Sequence, residues 1–592
     1  MNSLESIYAQ KADQYSKEAK EIKSRLTLIT LFRLAGFILL VVSIYYFIKE
    51  SQPILLVAIA FFSILFLLLV KIYFNLKDKK ALKEKLLFIN ENELGILQGS
   101  TNQFGSGENH QSHESYLEDL DVFGKGSLFH LLNRTTTSHG DAKLAAQLSH
   151  PLLQNQSILQ HQQAIKALAT EIDTRQLLTA HGLLNNEKDG NLHSIVDWLQ
   201  TPIKLLKSPW LKIIRWILPL FNLGALLYYL QTDHYLALSL GIIASWAITG
   251  SMAMHINHQH KQVGEKQKIL NQYADILKIF SSANITHSEL LEQLGQDAKQ
   301  ASQSINKLSQ LSSFFDQRLN VVANILLNSF ILYDIQCVLE LEKWKLKNKN
   351  DFEKYIDCVG KIESLNSLSC FAFNHPGYAY PELAEDGLKM QASQMAHPLI
   401  PEKESVPNDF SIGVQEKLQL VTGSNMSGKT TFLRTVGINL LLAQCGMPVC
   451  ASRFSFTPMD ILSSIRVSDS LLDHTSYFMA ELKRLQQIIV QLESGRPALV
   501  LVDEILRGTN SEDKTHGSEQ FIRKLLQYHC LTLFATHDLS LGEMSVALPE
   551  KISNYCFESL IQNGELHFDF KLQSGVAKNK NASFLMQKMG II

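Results

Sequence analysis

At 592 residues the chain is long enough for about three or four domains. Its 55 basic and 57 acidic residues leave a net charge of −2, which excludes a globally basic nucleic-acid-coating protein and leaves room only for a local basic patch. Seven cysteines, all from Cys337 onward and none in a C-x-x-C pair, exclude a disulfide framework or a zinc site and fit reduced thiols of a cytosolic compartment.

Residues 1–98 predict a membrane hairpin with flanking helices. Residues 1–25 are charged and helix-compatible. The runs 26–48 and 51–70 are apolar, broken only by Arg33, and a bilayer needs about 20 apolar residues per helix. A second span directly after the first argues against a cleaved signal peptide. Residues 99–116, rich in Gly, Ser, Asn, Gln and His, read as a flexible linker, with His110 and His113 solvated rather than metal-bound. Residues 117–205 are helical by periodicity. A second hairpin is expected within 206–260, with spans at about 214–232 and 234–257 and Asp233 at the turn. Pro219 and Gly224 do not rule it out, since membrane helices tolerate both.

Basic residues flank both hairpins: Lys20, Lys23 and Arg25 before the first, Lys71, Lys77, Lys79 and Lys80 after it, Lys204, Lys207, Lys212 and Arg215 before the second, and Lys261, Lys266 and Lys268 after it. The turns between spans carry almost none. By the positive-inside rule this predicts a multi-pass protein of the cytoplasmic (inner) membrane, with its soluble parts facing the cytoplasm. Residues 261–394 read as a helical lever region, and Asp351–Ala396 within and beyond it as a helical turn region around Pro376 and Pro381.

Residues 395–592 predict an α/β domain built around Leu418 to Thr431. Leu418, Leu420 and Val421 form a short buried strand; Thr430 to Gln444 reads as a helix ended by Gly446. Between them lies the phosphate-cradling pattern G-x-x-x-x-G-K-S/T, with Gly423, Gly428, Lys429 and Thr430 in the fixed positions. Backbone N–H groups of Ser424, Asn425, Met426, Ser427 and Thr431 and the helix N-terminus would hold phosphate oxygens. Lys429 would reach the β- and γ-phosphates of ATP, and Thr430 would ligate Mg²⁺. Ala498–Glu504 is a continuous apolar run delivering two carboxylates at a strand's C-terminal end, where ligands sit in open α/β sheets. Asp503 would hold Mg²⁺ and Glu504 would deprotonate the attacking water. Leu531–His537 is another buried strand, ending in His537, placed to hydrogen-bond the γ-phosphate or that water.

With these motifs in hand, a family resemblance follows. Ser127 to Thr135, then Gly140, Leu144 and His150-Pro151-Leu152, resemble the start of the core domain of the MutS mismatch-repair family. The loop Thr422 to Thr431, with Asn425-Met426 inside it, is similar to that family's phosphate loop. Arg466 to Ser470 followed by Thr475 to Glu481 resembles its signature segment, and Ile505 to Thr509 its "isoleucine-glycine-arginine-glycine-threonine" run, with Leu506 in place of the glycine. His397-Pro398, His567-Phe568 and Ser583 resemble the edges of its ATPase domain. The resemblance implies an ABC-type P-loop ATPase domain behind an all-α lever and core region. It implies a homodimer closing over ATP, with Ser476 touching the nucleotide of the other subunit; Ser476 also reads as the cap of the helix running to Leu492. DNA binding, DNA repair and mismatch repair are implied by the family alone. No "phenylalanine-x-glutamate" wedge that reads mismatches is found in the first hundred residues, so the chain resembles a membrane-anchored variant without that N-terminal domain. No Leu-Ser-Gly-Gly-Gln transporter signature is present. The alternative is an ABC-type ATPase coupled to a membrane or protein partner without a DNA role; intact Lys429, Asp503, Glu504 and His537 argue against a non-catalytic scaffold.

Overall fold

The computed structural model describes residues 3–111, 115–184, 192–283, 285–424, 426–466, 477–506, 510–562 and 565–578. Two helices, Ser3–Glu50 and Pro53–Leu97, open the chain and lie along each other. Pro53 starts the second at a position whose N–H has no intrahelical acceptor anyway. At 1.5 Å per residue each runs about 70 Å, roughly twice a bilayer's hydrocarbon thickness. The apolar half of each is bare: Leu31, Leu39, Val57, Phe61 and Leu67 are all exposed. Arg33, the lone charge in this stretch, lies over the Tyr73 ring at 4.5 Å. The polar halves dock on the rest of the protein, through Lys11–Asp173 at 2.5 Å and through buried Tyr8, Leu86 and Ile89.

That docking is fixed by one buried network. Glu93, fully inside, takes two hydrogen bonds from the Arg134 guanidinium, one of them 3.0 Å from Nη2 to Oε2. Asn374 donates to the same carboxylate at 2.8 Å, and the Tyr8 hydroxyl donates to Asn374 Oδ1 at 2.7 Å. Three distant segments thus meet on one carboxyl group, and Tyr8 joins them through Asn374. Burial alone would raise the Glu93 carboxyl; the Arg134 charge outweighs it and holds the group below its ordinary value.

The stretch 99–116, expected to be a flexible linker, is pinned in its described part. Asn102 donates to the carbonyls of His130 and Asn133 at 2.6 and 2.9 Å, and Asn92 donates to Asn102 at 3.1 Å. His110 packs its ring near Phe123 and Phe129, with Nε2 2.5 Å from Asp141. Polar side chains that look solvated in sequence here satisfy backbone groups at the end of the Leu128–Leu132 helix. His113 lies outside the described residues.

A helical body follows. Gln267–Ser282 and Glu289–Asp316 pack along one another, and Phe352–Asn374 runs almost wholly buried through the core. The apolar run 234–257 is divided. Leu236–Ser251 bends by 63° at Met252 into Ala253–Val263, because the sequence turns polar and folds Ile256, Gln259 and Val263 back into the body. The expected lever is likewise divided: Val321–Ile331 is a separate short helix that turns by 81° into Tyr333–Asn348.

Among the described residues the α/β part holds ten strands in two sheets. The smaller contains β1 (Glu382–Leu383), β2 (Met390–Met395), β3 (Asn408–Ile412) and β5 (Arg453–Phe456), in the order β1-β5-β2-β3. Residues 382–383 and 390–395 are therefore strand where a helical turn region was expected: Met390, Ala392 and Met395 point inward, and β2 pairs antiparallel with both β3 and β5. The larger sheet runs β10 (Glu565–Ser574), β9 (Ile552–Gln562), β4 (Leu418–Gly423), β8 (Cys530–Thr536), β7 (Ala498–Asp503), β6 (Asp460–Ser464), parallel except for β10. Every residue of β4, β7 and β8 is buried, as continuous apolar runs in a parallel sheet require. Leu499 and Leu501 join the core under the Lys429–Gln444 helix; Val500 and Val502 face the Tyr477–Leu492 and Ser511–Leu525 helices. Gly437 is needed where that first helix crosses the sheet, since a Cβ there would sit 2.8 Å from both Leu120 and Leu501.

Candidate phosphate-binding site

The C-terminal ends of β4, β7 and β8 converge on one cavity of about 920 Å³. Strand β4 ends at Gly423 with φ +154°, and the Lys429–Gln444 helix begins behind Gly428 with φ +103°. A Cβ on Gly423 would meet the Phe557 carbonyl at 2.9 Å; one on Gly428 would meet the Phe570 ring at 3.1 Å. Between them Met426 takes φ +68° and points outward, while Ser427 is buried and its Oγ has no hydrogen-bond partner among the described residues. The result is a tight backbone concavity at a helix N-terminus, the geometry that favours an anion.

The side chains named from sequence gather here. Lys429 is buried and donates to the Gly423 and Ser424 carbonyls at 2.9 and 2.8 Å. Thr430 donates to Asp503 Oδ2 at 2.5 Å. Thr431 lines the cavity one residue on. Strand β7 ends at Asp503, one residue short of the expected end. Glu504 then takes φ +56°, its N–H donating to the Ala535 carbonyl at 3.0 Å. This left-handed turn carries the Glu504 carboxylate toward Lys514, which donates at 2.6 Å. His537, just past β8, donates from Nδ1 to the Gly423 carbonyl at 2.8 Å, leaving Nε2 3.6 Å from Glu504 Oε2. Since a carbonyl only accepts, the proton of the neutral ring is on Nδ1 and Nε2 keeps its lone pair. Burial, then the Lys429 charge, pushes the His537 imidazole below its ordinary value.

Asn425, Ser476, the segment 467–475, residues 507–509 and Ser583 lie outside the described residues. Among the described residues no group of three or more His, Cys, Asp or Glu could hold a metal by itself. The Thr430 hydroxyl and Asp503 carboxylate are two hard oxygens, the number a Mg²⁺ ion takes from protein when phosphate and water supply the rest.

Three contributors were not expected from the sequence. Lys514 stands in the first turn of the Ser511–Leu525 helix, with no motif to flag it. Asp119 and Asp121, from the helical region, clasp the site from behind. Buried Asp119 accepts from Ser463, Arg484 and the backbone of Ile465 and Arg466; Asp121 accepts from Arg434 at 2.9 Å and Arg466 at 2.6 Å. Arg434 lies one turn beyond Thr430, so the phosphate-loop helix is tied to the helical body. The signal was there as three acids, Glu118, Asp119 and Asp121, among buried Leu117, Leu120 and Val122.

Comparison with known proteins gives two family matches, MutS domain III over residues 108–493 and MutS domain V over 419–589. Among similar proteins, the DNA mismatch repair protein MutS of Lactococcus lactis subsp. cremoris (strain SK11) is 26% identical over 493 residues, 76% of this chain and 58% of the relative. The MutS of Thermotoga maritima is 30% identical over 234 residues, 39% of this chain and 29% of the relative. The DNA mismatch repair protein MSH3 of Vanderwaltozyma polyspora is 24% identical over 561 residues, 82% of this chain and 54% of the relative. The longer of these matches thus span somewhat over half of the relative's length.

Proposed function

This chain belongs to the MutS family, and from that premise we propose that it is a membrane-anchored, Mg²⁺-dependent ATP hydrolase of the P-loop, ABC type, with ATP sites completed by dimerisation. The observation that carries the reading is the convergence of Lys429, Thr430–Asp503, Glu504 and His537 on one glycine-lined cavity at the ends of three parallel strands.

In this reading the loop N–H groups and Lys429 hold the β- and γ-phosphates. Bound Mg²⁺, held by Thr430 and Asp503, would neutralise charge developing on the phosphoryl oxygens. Glu504 and the neutral His537 both present acceptors, 3.6 Å apart. One water can donate a hydrogen to each, which fixes its lone pair toward the phosphorus and gives Glu504 the proton. Lys514 positions the Glu504 carboxylate. Ser476 of a second copy would complete the nucleotide's shell, in line with family resemblance. The first hairpin and the Pro209–Thr232 helix would cross the cytoplasmic membrane; among the described residues three helices are long and apolar enough to do so, and up to five if each bent pair is one span.

Hydrolysis by the protein in lipid nanodiscs tests this. Phosphate release should require Mg²⁺. Because the His537 value is lowered, its neutral form persists through pH 6.5, the ordinary imidazole value, and the rate should fall only at more acid pH. A rate lost with a midpoint at or above 6.5 contradicts the role given to His537, and no hydrolysis at all removes the reading.

The relatives' names speak of mismatch repair, and DNA enters this proposal on that ground. A second reading, nucleotide-driven coupling to the membrane without DNA, is favoured by one observation: the tips of the long helices are apolar rather than basic, with Phe314, Leu319, Val321 and Val322 exposed. Titration with duplex DNA across salt concentrations separates the two. Phosphate contacts give an affinity that falls steeply as salt rises; absence of binding at low salt leaves the second reading.

A further inference from the structure

Val321–Ile331 is built inside out. Its apolar residues face away from the protein: Val321 and Val322 are 70% and 67% exposed, with Ile325 and Leu326 alongside them, while Asn328 and Ser329 are 1% and 5% exposed. A helix at a water surface shows the reverse order. The polar face is used up by internal bonds. Asn222, from the Pro209–Thr232 helix, donates to the Ser329 carbonyl at 2.9 Å and to Ser245 at 3.0 Å. Trp246 donates to Ser329 Oγ at 3.0 Å. Asn328 Oδ1 takes the Asp334 N–H at 3.0 Å, closing the turn into the next helix.

The two neighbours follow the same pattern. In Pro209–Thr232 and Leu236–Ser251, Leu220, Leu223, Leu240 and Ile243 are exposed while Asn222, Ser245 and Thr249 are buried. Gly241 lets the Asn222 amide come so close that a Cβ would lie 2.0 Å from its oxygen. Small and polar residues inside with bulky apolar ones outside is the packing of helices surrounded by lipid.

We infer that Val321–Ile331 is a re-entrant helix buried part-way into the bilayer, so that the long helices Glu289–Asp316 and Tyr333–Asn348 end at hydrocarbon. Eleven residues span about 16 Å, roughly half the hydrocarbon thickness, so the helix enters without crossing. Its successor cannot extend it: Tyr333–Asn348 turns by 81° and buries Ile335, Val338 and Leu341 in the body's core. The occupant of the bare face is lipid. The face is continuous with the span-length Pro209–Thr232 helix through the Asn222 bonds; Lys204 and Lys207 precede that helix and Lys212 and Arg215 lie in its first two turns, a basic end that suits anionic headgroups. The inference rests on the membrane reading of Pro209–Thr232 given above.

The test places a bimane fluorophore on Ile325→Cys, on Leu220→Cys in the Pro209–Thr232 helix, and on Leu159→Cys on an exposed body helix, with wild-type labelling subtracted. Six of the seven native thiols are buried, so that background is small. Each labelled protein is reconstituted in nanodiscs with acyl-chain-brominated phospholipid. Quenching of Ile325→Cys comparable to Leu220→Cys, with Leu159→Cys unquenched, is the expected result. Quenching of Leu220→Cys alone, whether Ile325→Cys meets water or a second protein, overturns the inference and leaves the membrane reading standing. Quenching of neither overturns both.

Discussion

Glu504→Gln should lower ATP turnover by about 10²–10⁴-fold, the usual contribution of a positioned general base, while ATP binding survives. Glutamine keeps the size of the side chain and an oxygen for the Lys514 hydrogen bond that now holds the carboxylate at 2.6 Å. The phosphate-holding groups lie elsewhere, on the loop, Lys429 and Thr430. What is lost is the basic oxygen that the proposed mechanism gives the water's proton, 3.6 Å from His537 Nε2. With binding intact and the chemical step slowed, the ATP-bound dimer should accumulate. Single-turnover phosphate release and sedimentation with ATP read the two effects. Unchanged turnover would remove Glu504 from the base role, whereas loss of nucleotide binding would mean that the residue holds the loop together instead.

Glu93→Ala should destabilise the fold by about 3–5 kcal/mol, because it strands the Arg134 guanidinium in the interior. Arg134 is 4% exposed, and its other hydrogen bonds, to the Leu131 and Asn133 carbonyls, supply no countercharge. Asn374 and, through it, Tyr8 lose their anchor as well. Glu93→Leu combined with Arg134→Met should recover much of the loss, since the double change leaves no bare charge. The sign with pH follows from the depressed Glu93 value. Its stabilisation is complete above the unfolded value of 4.5 and fades as pH falls through the folded value, so the gap between wild type and Glu93→Ala should narrow in acid. Thermal unfolding in micelles near neutrality and in acid measures both; a gap that widens on acidification would show that Glu93 is held protonated.

Much of the site was legible because the chemistry sits next to its own scaffold. The runs Leu418–Gly423, Ala498–Asp503 and Cys530–Thr536 are mostly apolar and buried throughout, and each ends at the residues that matter. Buried parallel strands therefore announce both themselves and their functional ends. Lys514 was not legible, since a lysine early in a polar helix looks like any solvated one. Glu93 and Arg134 were illegible for a different reason: their partnership spans 41 residues and involves Asn374 a further 240 residues on, so no local pattern carries it. The Val321–Ile331 helix was hidden inside a longer periodic stretch because its period is ordinary and only the sense of its two faces is reversed. The 382–395 strands were obscured by Pro381 and by their short length, and only pairing with β3 and β5 defines them.

The Lys429 ammonium is already bonded to two loop carbonyls, Gly423 and Ser424, the first of which also receives His537. In the proposed reading, a phosphate entering the loop competes with those carbonyls for the three N–H bonds of the ammonium. On the proposed reading, loading would be in part an exchange of hydrogen-bond partners rather than the filling of a bare charge, which limits the net gain from each phosphate contact.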